Sequence, residues 1–343
     1  MNERSSTIDD TTLNRVEDCL RSSPPQTDSE VNQLIDDITK TYLQDEDDQD
    51  DNAPAYRLAK ILKMNLENPE LFIPTKLDLT PLLGGREGSF GVVHKASWHG
   101  TEVAVKVLKE SEAVLNQKYN QLKNGFLYEV KIWRSIAQHP NVLRFDGCYA
   151  TVNFTKRDID LALVSPWAKS GDLRKYKTTF KPWIKTHSIL LDVAQGLQHL
   201  HTNNPQVVHG DLCRANVLLD IKEKKLMAKL ADFGMAKHDG RESSLTVLGM
   251  TADLHYERRG PLQKAIRGRS TDNDIFGFGS LIYEIFAGQA DFTSQKPIRP
   301  STMNDGKYDK LWLLVEDCWS DEPEKKLNAS DLIDRLKELA PKA

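Results

Sequence analysis

An aspartate and an asparagine, Asp211 and Asn216, lie five positions apart in the segment VVHGDLCRANVLLD at residues 207–220. Apolar runs flank this short polar stretch on both sides. A carboxylate beside a carboxamide is suited to holding a hydroxyl group next to a divalent cation. Asp, Asn and Gly are also common in capped turns, so this segment alone leaves both interpretations open.

A second acidic side chain, Asp232, follows a short predicted hairpin in the segment LADFGMA. Mg²⁺ commonly takes one or two carboxylate or carbonyl ligands from a protein, together with phosphate oxygens. Asn216 and Asp232 would supply the protein's share of that set. Asp211 would then be left to accept the proton of a hydroxyl group.

A glycine-rich turn, LLGGREGSFGVV, lies between two predicted strands, where backbone N–H groups could approach phosphates. Glycine also serves ordinary hairpins, so the turn by itself is weak support. In the following strand, alternation places Ala104 and Lys106 on one face and Val103, Val105 and Val107 on the other. A lysine beside a small alanine fits a slot for a flat ring and an anionic tail; the alternative is a lysine that faces solvent.

An acidic residue, Glu129, shares the apolar stripe of a predicted helix with Phe126, Ile132 and Trp133. A carboxylate in that position is costly unless a cation meets it. We therefore expect an ion pair between Glu129 and Lys106. Its value would lie in positioning the ammonium group more than in stability.

These residues fall on a small predicted sheet that precedes a helical body. A helix at about 116–136 interrupts the strands, and SILLDVAQGLQHLH and DIFGFGSLIYEIFAG are the strongest helical segments after residue 170. The predicted strands are LDLTPLL, SFGVVHKASW, TEVAVKVL, CYATVNF and DLALVS. The pattern predicts an α+β fold with a small sheet, one main helix beside it and a larger, mostly helical part.

The first 70 residues are acidic, with 7 Lys and Arg against 17 Asp and Glu, whereas the remaining residues have 39 against 33. The run DEDDQDDN is too acidic to fold on itself. Thr27 and Glu30 nevertheless have capping-box spacing, and AYRLAKILKMNL predicts a second helix. We expect residues 1–70 to be partly disordered, with short helices that dock a partner or the body of the protein, or that form only transiently.

The composition favours an intracellular, cytoplasmic protein. No apolar run approaches the roughly 18 residues that a membrane-spanning helix needs. The four cysteines are far apart and lack metal-type pairing, which predicts reduced thiols. Nucleic acid is not an expected partner, because no dense basic run carries interleaved aromatic residues. The sequence leaves the oligomeric state open.

Taken in order, these motifs resemble the eukaryotic protein-kinase domain: the glycine loop, VAVK, the helix glutamate, HPNVLRFDGCY, HxDxxxxN, DFG, DIFGFGSLIYEIFAG and CWSDEP. The resemblance covers about residues 77–338 and is closest to the tyrosine-kinase-like group, including its divergent fungal members. It implies a bilobal fold. An antiparallel N-lobe would span 77–165, a hinge 166–170 and a helical C-lobe 171–338.

The resemblance implies ATP and Mg²⁺ or Mn²⁺ as cofactors, and a protein as substrate. Lys106 would bind the α and β phosphates, Glu129 would hold Lys106, Asp211 would be the base, and Asn216 and Asp232 would hold the metal. Ser165 would be the gatekeeper beside the adenine. The other positions implied to meet the nucleotide are Gly85, Gly88, Ser89, Phe90, Gly91, Val93 and Ala104, and in the hinge Pro166, Trp167 and Ala168.

Several positions depart from the family pattern. Arg86 stands where the first glycine of the loop is usual. Gly210 replaces an arginine that commonly pairs with a phosphorylated activation loop, so we predict activity that does not need phosphorylation of that loop. Cys213 stands where serine/threonine kinases carry a lysine, and Arg214 could take the place of that cation. Further on, Met250 replaces a usual threonine.

Near the end of the domain, Lys326 stands where arginine is usual, and it could pair with Glu257 less well than a bidentate arginine would. Three functions therefore fit the sequence. The first is an active protein kinase, serine/threonine more than tyrosine. The second is a pseudokinase or scaffold that binds ATP with little turnover. The third is a small-molecule phosphotransferase, for which HGDxxxxN is the usual spelling, but VAVKVL, HPNV, DFG and CW argue against it.

Overall fold

The protein is represented by a computed structural model with two compact units. The first unit comprises Met1–Lys123 and Phe145–Trp167, and the second comprises Asn124–Arg144 and Ala168–Ala343. The chain leaves the first unit for the last time after Trp167, within the predicted hinge. The described residues are 7–21, 28–42, 54–73, 77, 87–88, 91–108, 119–175, 183–222, 225–238, 270–288, 298–320 and 322–341.

An antiparallel sheet with the strand order β1-β2-β3-β5-β4 forms the centre of the first unit. This confirms the antiparallel sheet predicted for the N-lobe. The predicted strand LDLTPLL lies outside the described residues except for Leu77. The strands are β1 (Glu87–Gly88), β2 (Gly91–Trp98), β3 (Thr101–Leu108), β4 (Gly147–Asn153) and β5 (Asp158–Pro166).

The two faces of β3 differ as the alternation predicts. Val103 and Val105 are buried in an apolar cluster, whereas Ala104 and Lys106 face the other way and are only partly buried. A strand with one apolar and one mixed face must bury the apolar one. The other members of the cluster are Ile73, Leu77, Ala96, Tyr149, Ala162 and Val164, with Trp98 and Val107 packed against it.

Three helices from the acidic N-terminal region belong to the first unit: α1 (Asp10–Arg21), α2 (Asp28–Tyr42) and α3 (Pro54–Glu67). Helix α1 contacts β4, and α3 contacts β5. Both predicted helices are present, and α1 is an additional one. Docking on the body of the protein is thus the arrangement found for these helices, which do not form a loose tail. Their apolar stripes are buried, including Leu13, Val16, Leu34, Ile38, Leu58 and Leu62.

The second unit is mostly helical, as expected for a C-lobe. Two short antiparallel pairs accompany the helices, β6 (Val207–Val208) with β9 (Lys237–His238), and β7 (Val217–Lys222) with β8 (Lys225–Leu230). Most of α4 also belongs to this unit, from Asn124 onward. The helices are α4 (Tyr119–Ser135), α5 (Trp183–Thr202), α6 (Thr271–Ala287), α7 (Asp309–Cys318) and α8 (Ala329–Glu338).

Helix α6 has clear local signals at both ends. A capping box between Ser270 and Asn273 begins the helix. Gly288 ends it with a φ of 85°, in the left-handed region that favours glycine. Among the buried residues of this helix, Asp274 near the start is the one charged residue; the others are apolar side chains and glycines. That buried aspartate anchors the polar loop that carries Asp211 and Asn216.

Candidate active site

The loop that carries Asp211 is anchored by Asp274. The backbone N–H groups of His209 and Gly210 donate to its two carboxylate oxygens, each at 2.8 Å. His201 Nε2 lies 2.8 Å from the same carboxylate. Burial would raise the pKa of Asp274, but the hydrogen bond from His201 and the nearby histidine charges hold that pKa below its ordinary value. The anchor is therefore a carboxylate at neutral pH.

Sequence reasoning did not assign Asp274 to the site, although a signal was present. A charged residue inside the otherwise apolar segment DIFGFGSLIYEIFAG is costly unless it has dedicated partners. The partners are backbone groups more than 60 residues earlier in the chain. A local pattern can show that such an aspartate needs donors, but not which donors it meets.

Asp211 and Asn216 are in direct contact. The side-chain Nδ2 of Asn216 donates to the backbone oxygen of Asp211 and to its carboxylate Oδ2, both at 2.9 Å. These bonds fix the orientation of the amide, so that its Oδ1 faces away from the carboxylate. The structure thus brings together the proposed proton acceptor and an oxygen ligand of the kind that Mg²⁺ takes.

The hairpin of β7 and β8 brings Asp232 to the same place. Val217 pairs with Leu230, and the next residue on that side, Ala231, donates its N–H to the oxygen of Asn216 at 2.9 Å. Asp232 follows directly with a φ of 67°, which is uncommon for any residue but glycine. The two predicted metal ligands therefore lie at the same end of one hairpin.

Asn216 and Asp232 fit a divalent cation in donor type. Within the ranges that the structure describes, no group of three or more His, Cys, Asp or Glu side chains is placed to hold a metal ion. A cation here would depend on an amide oxygen, a carboxylate and ligands from a bound nucleotide. That shared arrangement is the one that Mg²⁺ favours at phosphate-transfer sites.

Glu129 is buried on α4 beside the turn that carries Asp232. Its Oε2 lies 3.4 Å from where a Cβ would stand on Gly234, which is an ordinary contact distance. The Trp133 ring on the same helix packs against Phe233, with ring centroids 5.5 Å apart. The predicted partner of Glu129, Lys106, belongs to the other unit, and their ion pair stays a prediction.

Four of the residues predicted to contact a nucleotide share one face of the sheet. Lys106 pairs with Val93 on one side, and Ala104 pairs with Ser165 on the other. Directly opposed residues in antiparallel strands point to the same face, so these four side chains are neighbours. Ser165 is buried there, and its role as gatekeeper stays a prediction.

The predicted hinge segment continues from β5. Pro166 pairs with Val103, and Trp167 donates its N–H to the oxygen of Glu102 at 3.2 Å. The ammonium of Lys95 lies 5.6 Å from the centroid of the Trp167 ring and also contacts the Glu102 carboxylate. Ala168 is the first residue of the last segment of the second unit.

The glycine loop is described only at its base. Gly88 and Gly91 face each other at the end of the β1–β2 pair. Gly85, Ser89 and Phe90 lie outside the described residues, so their predicted contact with a nucleotide is untested.

Arg214 does not take the place of the missing lysine, and that prediction was wrong. Its Nη1 donates to the oxygens of Glu284 at 2.9 Å and Gly288 at 2.7 Å, and its Nη2 donates to the oxygen of Arg174 at 3.1 Å. The last carbonyls of a helix lack partners within the helix, and a cation is favourable beside them. The guanidinium group is therefore bound to the end of α6.

Cys213 supplies no charge either. Burial, reinforced by the charge of Asp211, raises the pKa of the Cys213 thiol to about 12. The thiol is neutral at physiological pH. The described part of the catalytic loop thus carries no cation in place of the lysine that serine/threonine kinases have there.

The high pKa of Cys213 predicts slow alkylation in the folded protein. At pH 8 only about one in ten thousand such thiols is ionised, against about a quarter for an unperturbed thiol. We expect iodoacetamide to modify Cys213 at least about 100-fold more slowly in buffer than in urea. Peptide mapping by mass spectrometry measures both rates, and equal rates would contradict the expectation.

Among the other positions that depart from the family pattern, Lys326 and Gly210 lie within the described residues. Lys326 forms an ion pair with Asp272 at 2.7 Å, whereas its predicted partner Glu257 lies outside the described residues, as does Met250. Gly210 has a φ of 74°, so the residue that replaces the usual arginine sits where glycine is favoured.

Comparison with known proteins agrees with the geometry. Residues 82–336 match the family described as protein tyrosine and serine/threonine kinase. The chain belongs to this family. Its sheet of five strands followed by a helical unit is the protein-kinase fold, and its relatives include kinases of the tyrosine-kinase-like kind.

Similar proteins include the seven transmembrane domain-containing tyrosine-protein kinase 1 of Dictyostelium discoideum, 32% identical over 74% of this chain and 37% of its own length. The serine/threonine-protein kinase CTR1 of Arabidopsis thaliana is 27% identical over 82% of this chain and 34% of its own length. Interleukin-1 receptor-associated kinase 1 of Bos taurus is 36% identical over 59% of this chain and 28% of its own length. The chain spans about a third of these relatives. None of the helices in the described ranges has both the length and the apolar character to cross a membrane.

Proposed function

We propose that this chain is an ATP-dependent protein kinase that transfers the γ-phosphoryl group of ATP to serine or threonine hydroxyls of a protein substrate. The observation that carries the proposal is the contact between Asn216 Nδ2 and the Asp211 carboxylate at 2.9 Å, at the end of the hairpin that also presents Asp232. A proton acceptor and two oxygen ligands in one place suit phosphoryl transfer.

In this proposal Asp211 accepts the proton of the attacking hydroxyl group. Asn216 and Asp232 hold Mg²⁺ or Mn²⁺, which neutralises charge on the phosphates when bound. By the family resemblance, Lys106 binds the α and β phosphates and Glu129 orients Lys106. The face that Lys106 shares with Val93, Ala104 and Ser165 takes the adenine ring, and the hinge from Pro166 to Ala168 contacts its edge.

The choice of acceptor is supported by the relatives and not by a described residue. CTR1 and VIK of Arabidopsis thaliana are named serine/threonine-protein kinases, whereas the Dictyostelium discoideum relative is named a tyrosine-protein kinase. We favour serine and threonine. Membership of a divergent, fungal-type branch, a cytoplasmic location and a partner for the acidic N-terminal region remain predictions from the sequence.

A pseudokinase is the second candidate, and a specific observation favours it. The Cys213 thiol is neutral and Arg214 is bound to α6, so neither residue supplies the cation that steadies the transferring phosphate in serine/threonine kinases. A chain without that charge could bind ATP and transfer phosphate slowly or not at all.

A transfer assay separates the two candidates. The full chain is incubated with γ-labelled ATP, Mg²⁺ or Mn²⁺ and generic protein acceptors, and the labelled products are hydrolysed for phosphoamino-acid analysis. Label on serine or threonine supports the proposal. Label on tyrosine alone would change the acceptor, and nucleotide binding without transfer would favour the pseudokinase.

Activation-loop phosphorylation is not expected to be required, because Gly210 provides no guanidinium group to pair with a phosphate there. The candidate phosphorylation sites Ser243, Ser244 and Thr246 lie outside the described residues. We expect their combined replacement by alanine to leave the initial rate within about twofold of wild type. Wild type treated with a phosphatase is the control, and complete loss of activity in the triple variant would reject the prediction.

A further inference from the structure

Arg214 lies three residues after Asp211, yet its side chain binds the opposite end of α6 from Asp274. The Nη1 of Arg214 donates to the backbone oxygens of Glu284 and Gly288. Two backbone carbonyls therefore hold this residue to the end of the helix.

The whole loop follows one stripe of α6. Asp274, Gly277, Glu284 and Gly288 are spaced by three, seven and four residues, which keeps them on one face of a helix. They contact the loop in sequence order. Asp274 accepts from the N–H groups of His209 and Gly210, and Gly277 lies close to Leu212. Glu284 and Gly288 accept from Arg214 through their backbone oxygens.

The contact at Gly277 shows how closely the loop approaches this face of α6. A Cβ built on Gly277 would stand 3.1 Å from the Leu212 Cβ and 3.4 Å from its backbone oxygen. The loop therefore lies directly on the helix backbone at its middle. Asp211 is carried between this contact and the Asp274 anchor.

Arg214 also reaches a third segment. Its Nη2 donates to the backbone oxygen of Arg174, whose own guanidinium forms two bonds with the buried carboxylate of Asp172, at 3.3 and 3.0 Å. Asp172 in turn pairs with Leu218 on β7. The guanidinium of Arg214 thus joins the catalytic loop, the end of α6 and a turn that is tied to β7.

We propose that Arg214 is a positioning residue, which holds the catalytic loop along α6 and so fixes where the Asp211 carboxylate stands. This inference rests on the proposed phosphoryl-transfer function. Without the guanidinium group, the loop keeps its Asp274 anchor and its Asn216 contact, but the segment between them is released from the end of the helix. Displacement of a catalytic group by about 1 Å can cost about 100-fold in rate.

The test compares Arg214→Met with Arg299→Met in the full chain. Arg299 is a matched control: its Nη2 contacts the backbone oxygen of Met303 and the Asp309 carboxylate, and like Arg214 it has a buried Nε without a hydrogen-bond partner in the described structure. Met keeps much of the length of the side chain and removes its donors. Both variants should lower Tm.

We expect Arg214→Met to lower kcat by about 10- to 100-fold while KM for ATP changes by less than about threefold. Arg299→Met should keep kcat, measured below the Tm of both variants. Arg214→Lys should recover part of the lost rate, since a lysine can still reach one carbonyl but not the full set.

Amide hydrogen exchange at residues 211–216 gives a second measurement that does not need turnover. Exchange should accelerate in Arg214→Met and not in Arg299→Met. If wild type transfers no phosphate, the proposed function fails and exchange alone decides the positioning role. Unchanged kcat in Arg214→Met of an active enzyme, or equal exchange in the two variants, would overturn the inference.

Discussion

Replacing Asp211 by asparagine is expected to lower the rate of phosphoryl transfer by about 10²- to 10⁴-fold while the fold is kept. Asparagine matches aspartate in shape, and its oxygen can still accept the bond that Asn216 Nδ2 gives to Oδ2 of Asp211. What the variant loses is the basic carboxylate, so the attacking hydroxyl group has nowhere to place its proton. Initial rates with γ-labelled ATP measure the effect, and the dissociation constant for ATP should stay close to that of wild type.

Asp220→Asn is the matched control for this prediction. Asp220 lies on β7 in the same unit, and its carboxylate is 3.8 Å from the Lys229 ammonium. The substitution removes one negative charge from the hairpin of β7 and β8 and leaves the loop at 209–216 unchanged, so the rate of this variant should match that of wild type. If Asp211→Asn kept more than about a tenth of the wild-type rate, general-base catalysis by Asp211 would be rejected.

The double variant Glu17→Ala/Arg21→Ala is expected to lower the free energy of unfolding by about 3 kcal/mol. Glu17 Oε2 accepts a hydrogen bond from the N–H of Val152 at 2.8 Å, and Arg21 Nη2 donates to the oxygen of Ala150. Arg21 also pairs with Glu17 at 3.0 Å and lies over the Tyr149 ring. Charged groups make stronger hydrogen bonds than neutral ones, and these are half-buried.

Urea unfolding of the full chain measures this loss, and Arg15→Ala provides the control on the same helix. Arg15 pairs with Asp37 at 3.0 Å, but both side chains are more than a third exposed, so its loss should cost less than about 1 kcal/mol. A double variant that is no less stable than Arg15→Ala would show that α1 is not held to β4 through these two residues.

The sequence could bring the candidate catalytic residues of the second unit together because their spacing is local. Asp211 and Asn216 lie on one loop, and Asp232 follows a hairpin whose two strands the sequence marks, so pairing alone brings them together. The face of β3 that carries Ala104 and Lys106 was predictable for a similar reason, since alternation along one strand decides it.

Other features depend on distant partners, and local patterns could not supply them. The bonds of Arg214 go to carbonyls of residues 284 and 288, and nothing near Arg214 indicates a helix end. Helix α1 was missed for another reason. Leu13, Val16 and Leu20 do have helical spacing, but the acidic composition around them favoured disorder, and their burial depends on tertiary packing in the first unit.

Backbone pairing with another protein is blocked along β4, one of the two edge strands of the sheet. Three alternate residues of β4 each have one outward backbone group occupied: Ile73 donates to the oxygen of Cys148, Arg21 donates to the oxygen of Ala150, and Glu17 accepts from the N–H of Val152. An extended peptide cannot add to the sheet along this strand, and two copies of the chain cannot join their sheets through it. A partner that approaches β4 from outside would meet α1, which contacts this strand.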